Sequence, residues 1–262
     1  MAEPSDKQMS FWDHLEVLRW SILRSGIVFF VVLVGMFIAL PYIFDDFILG
    51  ATSGDFFLYR WLGKLMGGNR AAEWLTATDF QVEIISIHVT TQFMTHISCA
   101  ASLALIVTFP YLMYETWRFI APALYPGEKK NVSFAFVLGT GMFFLGCAVG
   151  YTVIFPFTLR FLTQYTIGTG IVNQISLDSY MHTFTMLILV MGIVFEMPLL
   201  VWLLSRLGVL TKSTLKKYRR HAIVALLILA AAITPTGDPF TLMVMFIPLY
   251  LLYEFGILLA VK

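Results

Sequence analysis

Charged side chains are scarce in this sequence of 262 residues. Only 13% of the residues are charged, whereas 59% are hydrophobic, and an average soluble domain has about 25% charged residues. This shortage excludes a water-soluble enzyme. The formal net charge is +1, so the chain lacks the overall basic field that holds nucleic acid. The composition therefore indicates that a lipid bilayer surrounds most of the chain.

Motifs for catalysis and metal binding are also missing. The sequence contains no His-Glu-x-x-His, Cys-x-x-Cys or Gly-x-Ser-x-Gly motif and no phosphate-binding loop. Its two cysteines, Cys99 and Cys147, lie in apolar runs, where cysteine usually acts as a small hydrophobic residue. We therefore expect no catalytic residue, no metal site and no cofactor.

The N-terminal segment has two features that bear on targeting. Residues 1–6 lack a cationic region followed by an apolar core, so we expect no cleaved secretory signal peptide and an uncleaved first span. In residues 11–20, apolar side chains at positions 11, 15 and 18 share one helical face. This pattern predicts an amphipathic helix that lies along the membrane interface.

Six apolar stretches predict an all-α integral membrane protein. A transmembrane helix needs about 20 largely apolar residues. We predict one polytopic membrane domain over residues 1–262, with a long outer loop at 42–92 that contains a short interfacial helix. The last two spans have about 15 usable residues each, or about 22 Å, so we expect a hairpin of short spans and a locally thinned bilayer. The predicted spans are 20–40, 93–114, 132–155, 181–205, 221–234 and 239–254.

The distribution of Lys and Arg predicts the orientation of the six spans. With the N terminus inside, the cytoplasmic segments contain thirteen of the seventeen basic residues and the opposite face contains four. Basic residues are enriched in cytoplasmic loops. We therefore predict that the N and C termini are both cytoplasmic.

Glu196 is the most informative single residue, because it lies within the fourth predicted span. An acidic residue at the centre of a transmembrane helix costs about 2.5–3.5 kcal/mol and usually faces the bundle interior or a wet cavity. Pro198 follows it and frees a backbone carbonyl one turn earlier. We favour a functional polar site, although a glutamate that only stabilises packing is the alternative.

Two other acidic residues lie in loops. Asp238 is in the turn between the last two spans, where a helix-capping role is at least as well supported as a functional one. Glu128 follows two prolines in the cytoplasmic loop 119–130 and precedes a pair of lysines. An ordinary solvated loop charge is the alternative interpretation for Glu128.

Taken together, these segments resemble the TatC family, the polytopic receptor of the Sec-independent (twin-arginine) protein translocase. Residues 14–19 resemble the motif before the first span of the family, and residues 119–125 with Glu128 are similar to its first cytoplasmic loop. Residues 195–198, 234–238, 247–250 and 253–254 correspond to later family landmarks in the same order. The resemblance covers nearly the whole chain.

The resemblance implies a concave, glove-like bundle that recognises Arg-Arg signal peptides of folded cargo at the cytoplasmic membrane. It also implies single-span TatA-like and TatB-like partners and export driven by the proton-motive force. Carboxylates at a partly dry membrane boundary suit a guanidinium, which offers paired donors. Glu128 is the first candidate for this role, Arg19 belongs to the same motif region, and Glu196 with Asp238 would form the polar site for partner spans.

One departure from the family pattern concerns signal-peptide binding. The family usually has glutamate where this chain has Val17. On a helix, Asp13 lies one turn earlier on nearly the same face, and Glu16 lies about 100° away. We hypothesise that Asp13 or Glu16 replaces the missing carboxylate.

Two other classes of protein were weighed against this interpretation. A proton-coupled secondary transporter that uses Glu196 would need discontinuous helices and a related second half, and the sequence shows neither. An intramembrane enzyme would need a nucleophile and a base, or metal ligands, at membrane depth. The spans contain no such set.

Overall fold

The described part of the protein is predominantly helical, which confirms the all-α prediction. The computed structural model describes residues 11–53, 56, 59, 61, 64, 82–120, 132–168, 173–234 and 237–260. Within these ranges the helices are α1 (Phe11–Ile43), α2 (Thr91–Ile120), α3 (Val132–Val149), α4 (Phe155–Gln164), α5 (Leu177–Val194), α6 (Met197–Arg206), α7 (Lys212–Lys217), α8 (Arg219–Ile233) and α9 (Pro239–Leu259).

Among the described residues, five helical stretches are long and apolar enough to cross a membrane. They are residues 15–52, 91–119, 135–164, 177–206 and 239–259. Helix α8 has 15 residues, about 22 Å, so the sixth crossing stays a prediction. The prediction that the last span is short is wrong. Helix α9 has 21 residues, because residues 255–259 continue the apolar run beyond Glu254.

Two further predictions about single spans need correction. Residues 11–20 do not form a separate interfacial helix; they are the first turns of the continuous 33-residue helix α1. The third and fourth spans are interrupted, the third by a π-helical turn at Gly150–Ile154 and the fourth by a turn at residues 195–196. The turn at 195–196 divides the predicted fourth span into α5 and α6, whereas α4 extends the third span to residue 164, beyond its predicted end at residue 155.

The outer loop begins with helical turns that cover the ends of the spans. A π-helical turn (Phe44–Ile48) and a 3-10 turn (Leu49–Thr52) follow α1 directly. Tyr59 is fully buried and its hydroxyl donates to the carbonyl of Ala51 at 3.2 Å. Burial raises the pKa of Tyr59 well above its usual value, so the hydroxyl stays protonated and keeps this bond. Tyr59, Trp61 and Lys64 are helical, in agreement with a short helix in this loop.

A short parallel ladder joins the segment before α2 to the segment before α5. Strand β1 (Ile84–Ile85) pairs with β2 (Ile175–Ser176), with Ile84 opposite Ile175. The strands lie shortly before α2 and α5, respectively, so the ladder fixes the starts of these two helices relative to each other. Strands of two residues leave no periodic pattern in the sequence, so the ladder is not among the predicted features.

Helices α1 and α2 form an antiparallel pair at the edge of the bundle. Near the C-terminal end of α1, Nε2 of His96 donates to the carbonyl of Phe37 at 2.8 Å, and the two rings stack with centroids 4.0 Å apart. Towards the opposite end, Ser21 contacts Glu115. Most of the remaining α1 surface is apolar and exposed, as at Ile27, Phe30 and Ile38, which suits contact with lipid.

Helices α3 and α5 pack most closely where glycines face a neighbouring backbone. A Cβ atom added to Gly146 would lie 2.5 Å from the carbonyl oxygen of Met191, and one added to Gly150 would lie 3.1 Å from Cα of Ile188. From the other side, a Cβ atom added to Gly192 would lie 2.7 Å from Cys147 Sγ. Gly146 and Gly150 form a Gly-x-x-x-Gly pattern, which lets transmembrane helices approach each other closely.

This packing predicts that Gly146→Val lowers the free energy of unfolding by about 1–3 kcal/mol, because overpacking forces the helices apart. Unfolding in mixed detergent micelles would measure the change. Gly141→Val on the same helix is the matched control, since a Cβ there meets nothing within 4 Å. Equal losses in both variants would contradict the proposed role of the contact.

Candidate functional site

Two of the predicted signal-peptide-binding residues lie in the described part of the chain with their side chains. Glu16 and Arg19 are exposed on the early turns of α1. Asp13 lies in the first turn of this helix, but its side chain lies outside the described residues, as does the whole of Glu128. Glu16 is therefore accessible to a partner, and the structure does not test the rest of the predicted set.

A buried carboxylate at the same end, Glu115 on α2, was missed by the sequence analysis. It is only 3% exposed. The Ser21 hydroxyl donates to its Oε2 at 2.7 Å and the Tyr111 hydroxyl donates to its Oε1 at 3.0 Å. Arg24 Nε and Arg118 Nη1 lie 3.8 Å and 4.0 Å from Oε1. We call these five residues the Glu115 cluster.

The Glu115 cluster holds the early part of α1 against the end of α2. Glu16 lies about one and a half turns before Ser21, and the loop that contains Glu128 begins directly after α2 ends at Ile120. Both acidic segments therefore leave from the same end of the α1–α2 pair. One sequence signal could have revealed the cluster: Glu115 is the first charged residue in α2 after 24 uncharged ones.

Glu196 lies in the turn between α5 and α6 and is 8% exposed. Its carboxylate packs against α3, where a Cβ on Gly139 would lie 3.2 Å from Oε2. Within the part of the chain that the structure describes, neither carboxylate oxygen has a hydrogen-bond partner, and Thr140 Oγ1 nearby has none either. A buried polar group without a partner is costly, so this site favours a ligand or a partner that supplies a donor.

Pro198 explains the turn at Glu196. Proline has no N–H to donate and its ring clashes with the carbonyl one turn earlier, and α5 ends at that residue, Val194. The backbone N–H of Glu196 then bonds to Ile193 at 3.1 Å in a tighter turn. The fourth span is therefore discontinuous at Glu196, although no discontinuous helix was predicted from the sequence.

Asp238 caps α9, the alternative role that the sequence analysis considered. Its Oδ1 accepts from the backbone N–H of Thr241 at 2.7 Å. Helix α6 meets α9 where Val201 lies beside Gly256, and Asp238 lies 18 residues before Gly256, about 27 Å along the helix. Since Glu196 directly precedes α6, the structure does not bring Glu196 and Asp238 together.

Two more charged residues are held by specific contacts. Arg160 is fully buried, with its guanidinium 5.0 Å from the centre of the Tyr59 ring. Arg219 donates to Glu254 Oε2 at 2.8 Å and joins α8 to α9, which offsets the charge of Glu254 within the last span. In the described residues, no three His, Cys, Asp or Glu side chains converge as metal ligands.

Comparison with known proteins matches the chain to a family model described as Sec-independent protein translocase protein (TatC), over residues 13–248. Similar curated proteins bear the same description. The protein of a Blattabacterium from Periplaneta americana is 34% identical, over 97% of this chain and 95% of its own length. That of Haemophilus influenzae is 32% identical, over 97% of this chain and 90% of its own length.

Solved structures agree with this family match. A crystal structure of the twin arginine translocase receptor TatC superposes with a TM-score of 0.68 at 28% identity, covering 94% of this chain and 97% of that one. A second, in DDM, gives a TM-score of 0.73 at 28% identity and covers 95% of this chain and all of the other. The fold is thus similar to that of the receptor along nearly the whole chain.

Substitution of the two buried acids should change the stability of the protein by different amounts. Glu115→Ala should lower the free energy of unfolding by about 1–3 kcal/mol, because the buried hydroxyls of Ser21 and Tyr111 lose their acceptor. Glu196→Gln should leave it within about 0.5 kcal/mol of the native value or raise it, since no hydrogen bond is lost and a buried carboxylate is removed. Unfolding in mixed micelles measures both. A loss at Glu196 as large as that at Glu115 would contradict this difference.

Proposed function

The chain belongs to the TatC family of Sec-independent protein translocase proteins, and from this premise we propose that it is the receptor subunit that binds Arg-Arg signal peptides of folded cargo. The observation that carries the proposal is the position of its acidic segments. Glu16 is exposed at the end of the bundle where the Glu115 cluster joins α1 to α2, and the loop with Glu128 leaves from the same end.

The chemistry of a twin-arginine signal supports carboxylates as its receptor groups. A guanidinium is permanently charged and offers paired N–H donors, which suit carboxylate oxygens at a partly dry boundary. In the proposal, the carboxylate of Glu128 accepts hydrogen bonds from one arginine of the signal. Glu16 or Asp13 takes the role of the family glutamate that is replaced here by Val17. Arg19 is exposed about one turn after Glu16 on α1, and in the proposal it orients this acidic group.

In the proposed membrane orientation, this end of the bundle lies in the cytoplasm. Thirteen of the seventeen Lys and Arg residues lie in segments on this side of a six-span topology, in agreement with the positive-inside rule. The protein then lies in the cytoplasmic membrane with both termini inside. It exports cargo with TatA-like and TatB-like single-span partners, driven by the proton-motive force.

Glu196 supplies the second half of the proposal, a polar contact for a partner span. Its buried carboxylate has no hydrogen-bond partner among the described residues, and a donor from a neighbouring helix would satisfy it. Asp238 is kept as a partner contact at the outer end, although separate from Glu196. A proton-coupled transporter that uses Glu196 is the second candidate, and the helix interruption at this residue favours it.

Site-specific crosslinking tests signal recognition. Photo-crosslinkers at positions 13, 16, 17 and 128 should capture an Arg-Arg signal peptide at least about tenfold better than a Lys-Lys peptide, since paired charge-assisted hydrogen bonds are lost with lysine. A transporter predicts no dependence on the arginine pair.

The double variant Asp13→Asn/Glu16→Gln tests which acids replace the one missing at Val17. It should reduce crosslinking from position 128, whereas Asp45→Asn/Asp46→Asn, at the other end of α1, should not. Unchanged crosslinking in the first double variant would show that neither Asp13 nor Glu16 takes this role.

The partner contact is tested by Glu196→Ala. We expect normal membrane insertion but reduced cargo export or reduced co-purification of single-span partners, because the donor on the partner loses its acceptor. Glu83→Ala, which removes an exposed acid from the outer loop, is the control. Normal export and normal partner association by the Glu196 variant, at equal protein level, would refute this half of the proposal.

A further inference from the structure

Two arginines of the Glu115 cluster surround a single carboxylate at the membrane boundary. We propose that Arg24 and Arg118 bind the phosphate group of an anionic phospholipid. This site goes beyond signal recognition and does not depend on it, because a twin-arginine peptide is cationic and would be repelled here.

The guanidinium groups of this pair have donors to offer. Arg24 Nε and Arg118 Nη1 lie 3.8 Å and 4.0 Å from Glu115 Oε1, farther than the usual hydrogen-bond length of about 2.7–3.2 Å. The carboxylate already accepts from Ser21 and Tyr111. Arg24 Nε donates to the carbonyl of Trp20 at 3.2 Å, and the other guanidinium N–H groups of both arginines have no acceptor within the described ranges.

Both arginines face the same flank of the α1–α2 pair. Arg24 lies three residues after Ser21, and Arg118 lies three residues after Glu115. On two antiparallel helices these equal offsets point to one side of the contact, and both side chains reach the same oxygen from there. Their side chains are 39% and 52% exposed, so the pair is accessible from this flank.

The charges of the pair identify the ligand as an anion. Two guanidinium groups share one carboxylate, which leaves an excess of one positive charge. A phosphodiester carries one negative charge and presents oxygens that a planar guanidinium can bind through two N–H groups. Basic sites between transmembrane helices are typical binding sites for anionic lipid head groups.

The depth of the pair favours a lipid over a soluble anion. No charged residue occurs between positions 25 and 44 of the chain or between 91 and 114, so both arginines lie at the ends of uncharged stretches. Trp20 and Tyr114 are more than half exposed beside them, as aromatic residues at the head-group level often are. By helical spacing, exposed Ile27, Val31 and Val107 continue this flank towards the bilayer centre, where an acyl chain would contact them.

The test is lipid binding to the full chain in a neutral detergent, measured by native mass spectrometry. Phosphatidylglycerol should bind more tightly than phosphatidylcholine with the same acyl chains. Arg24→Gln/Arg118→Gln should weaken phosphatidylglycerol binding by about thirtyfold, as two basic residues at an anionic head group predict. Thermal unfolding of each variant checks its fold.

Lys216→Gln/Arg220→Gln is the matched control, because it removes two exposed charges from the same end of the bundle. Equal losses in both double variants would overturn the proposal, since binding would then depend on general charge. Competition by millimolar inorganic phosphate as effective as that by the lipid would overturn it in favour of a soluble anion. If the glutamine variant does not fold, Arg24→Lys/Arg118→Lys keeps the charge but loses paired donation, and unchanged affinity in it would refute the site.

Discussion

The close approach of α3 to α5 at Gly146 is the contact on which the rest of the bundle depends. Lipid tails are as apolar as leucine, so transmembrane helices gain little from burying apolar surface and associate through close packing and hydrogen bonds. At Gly146 the Met191 carbonyl and the Phe195 side chain occupy the space that a larger residue would fill. Because α5 is held there, the turn that follows Phe195 places Glu196 against Gly139, about two turns earlier on the same helix α3.

The two buried acids of the bundle differ in how their oxygens are satisfied. Both oxygens of Glu115 accept hydrogen bonds, and two arginines lie nearby, so this residue stabilises the joint between α1 and α2. The oxygens of Glu196 have no partner among the described residues. Most buried polar groups in folded proteins are paired, and an unpaired carboxylate is what a contact site for another chain would leave open. One acid is therefore explained by the fold and the other by the proposed function.

Local patterns predicted much of the fold. Apolar runs predicted the spans, because lipid requires long uncharged helices, whereas Pro198 suggested only a freed backbone carbonyl near Glu196 and not the interruption that the structure shows there. The pairing of β1 with β2 could not be predicted, since two-residue strands leave no periodic pattern. Glu115 was overlooked because the predicted second span ended at residue 114, and its hydroxyl partner Ser21 lies 94 residues away in sequence. Likewise, the turn at Asp238 left a capping role and a functional role both open, and the distance of Asp238 from Glu196 depends on tertiary packing.

The ladder between β1 and β2 also has a consequence for the order of folding. Ile84 can pair with Ile175 only after α2, α3 and α4 have been synthesised and inserted, because these helices lie between the two strands in the chain. Contacts between residues far apart in sequence form late, since a long loop must close first. Strand β1 therefore has no partner until β2 has been synthesised, and only then does the ladder link the starts of α2 and α5.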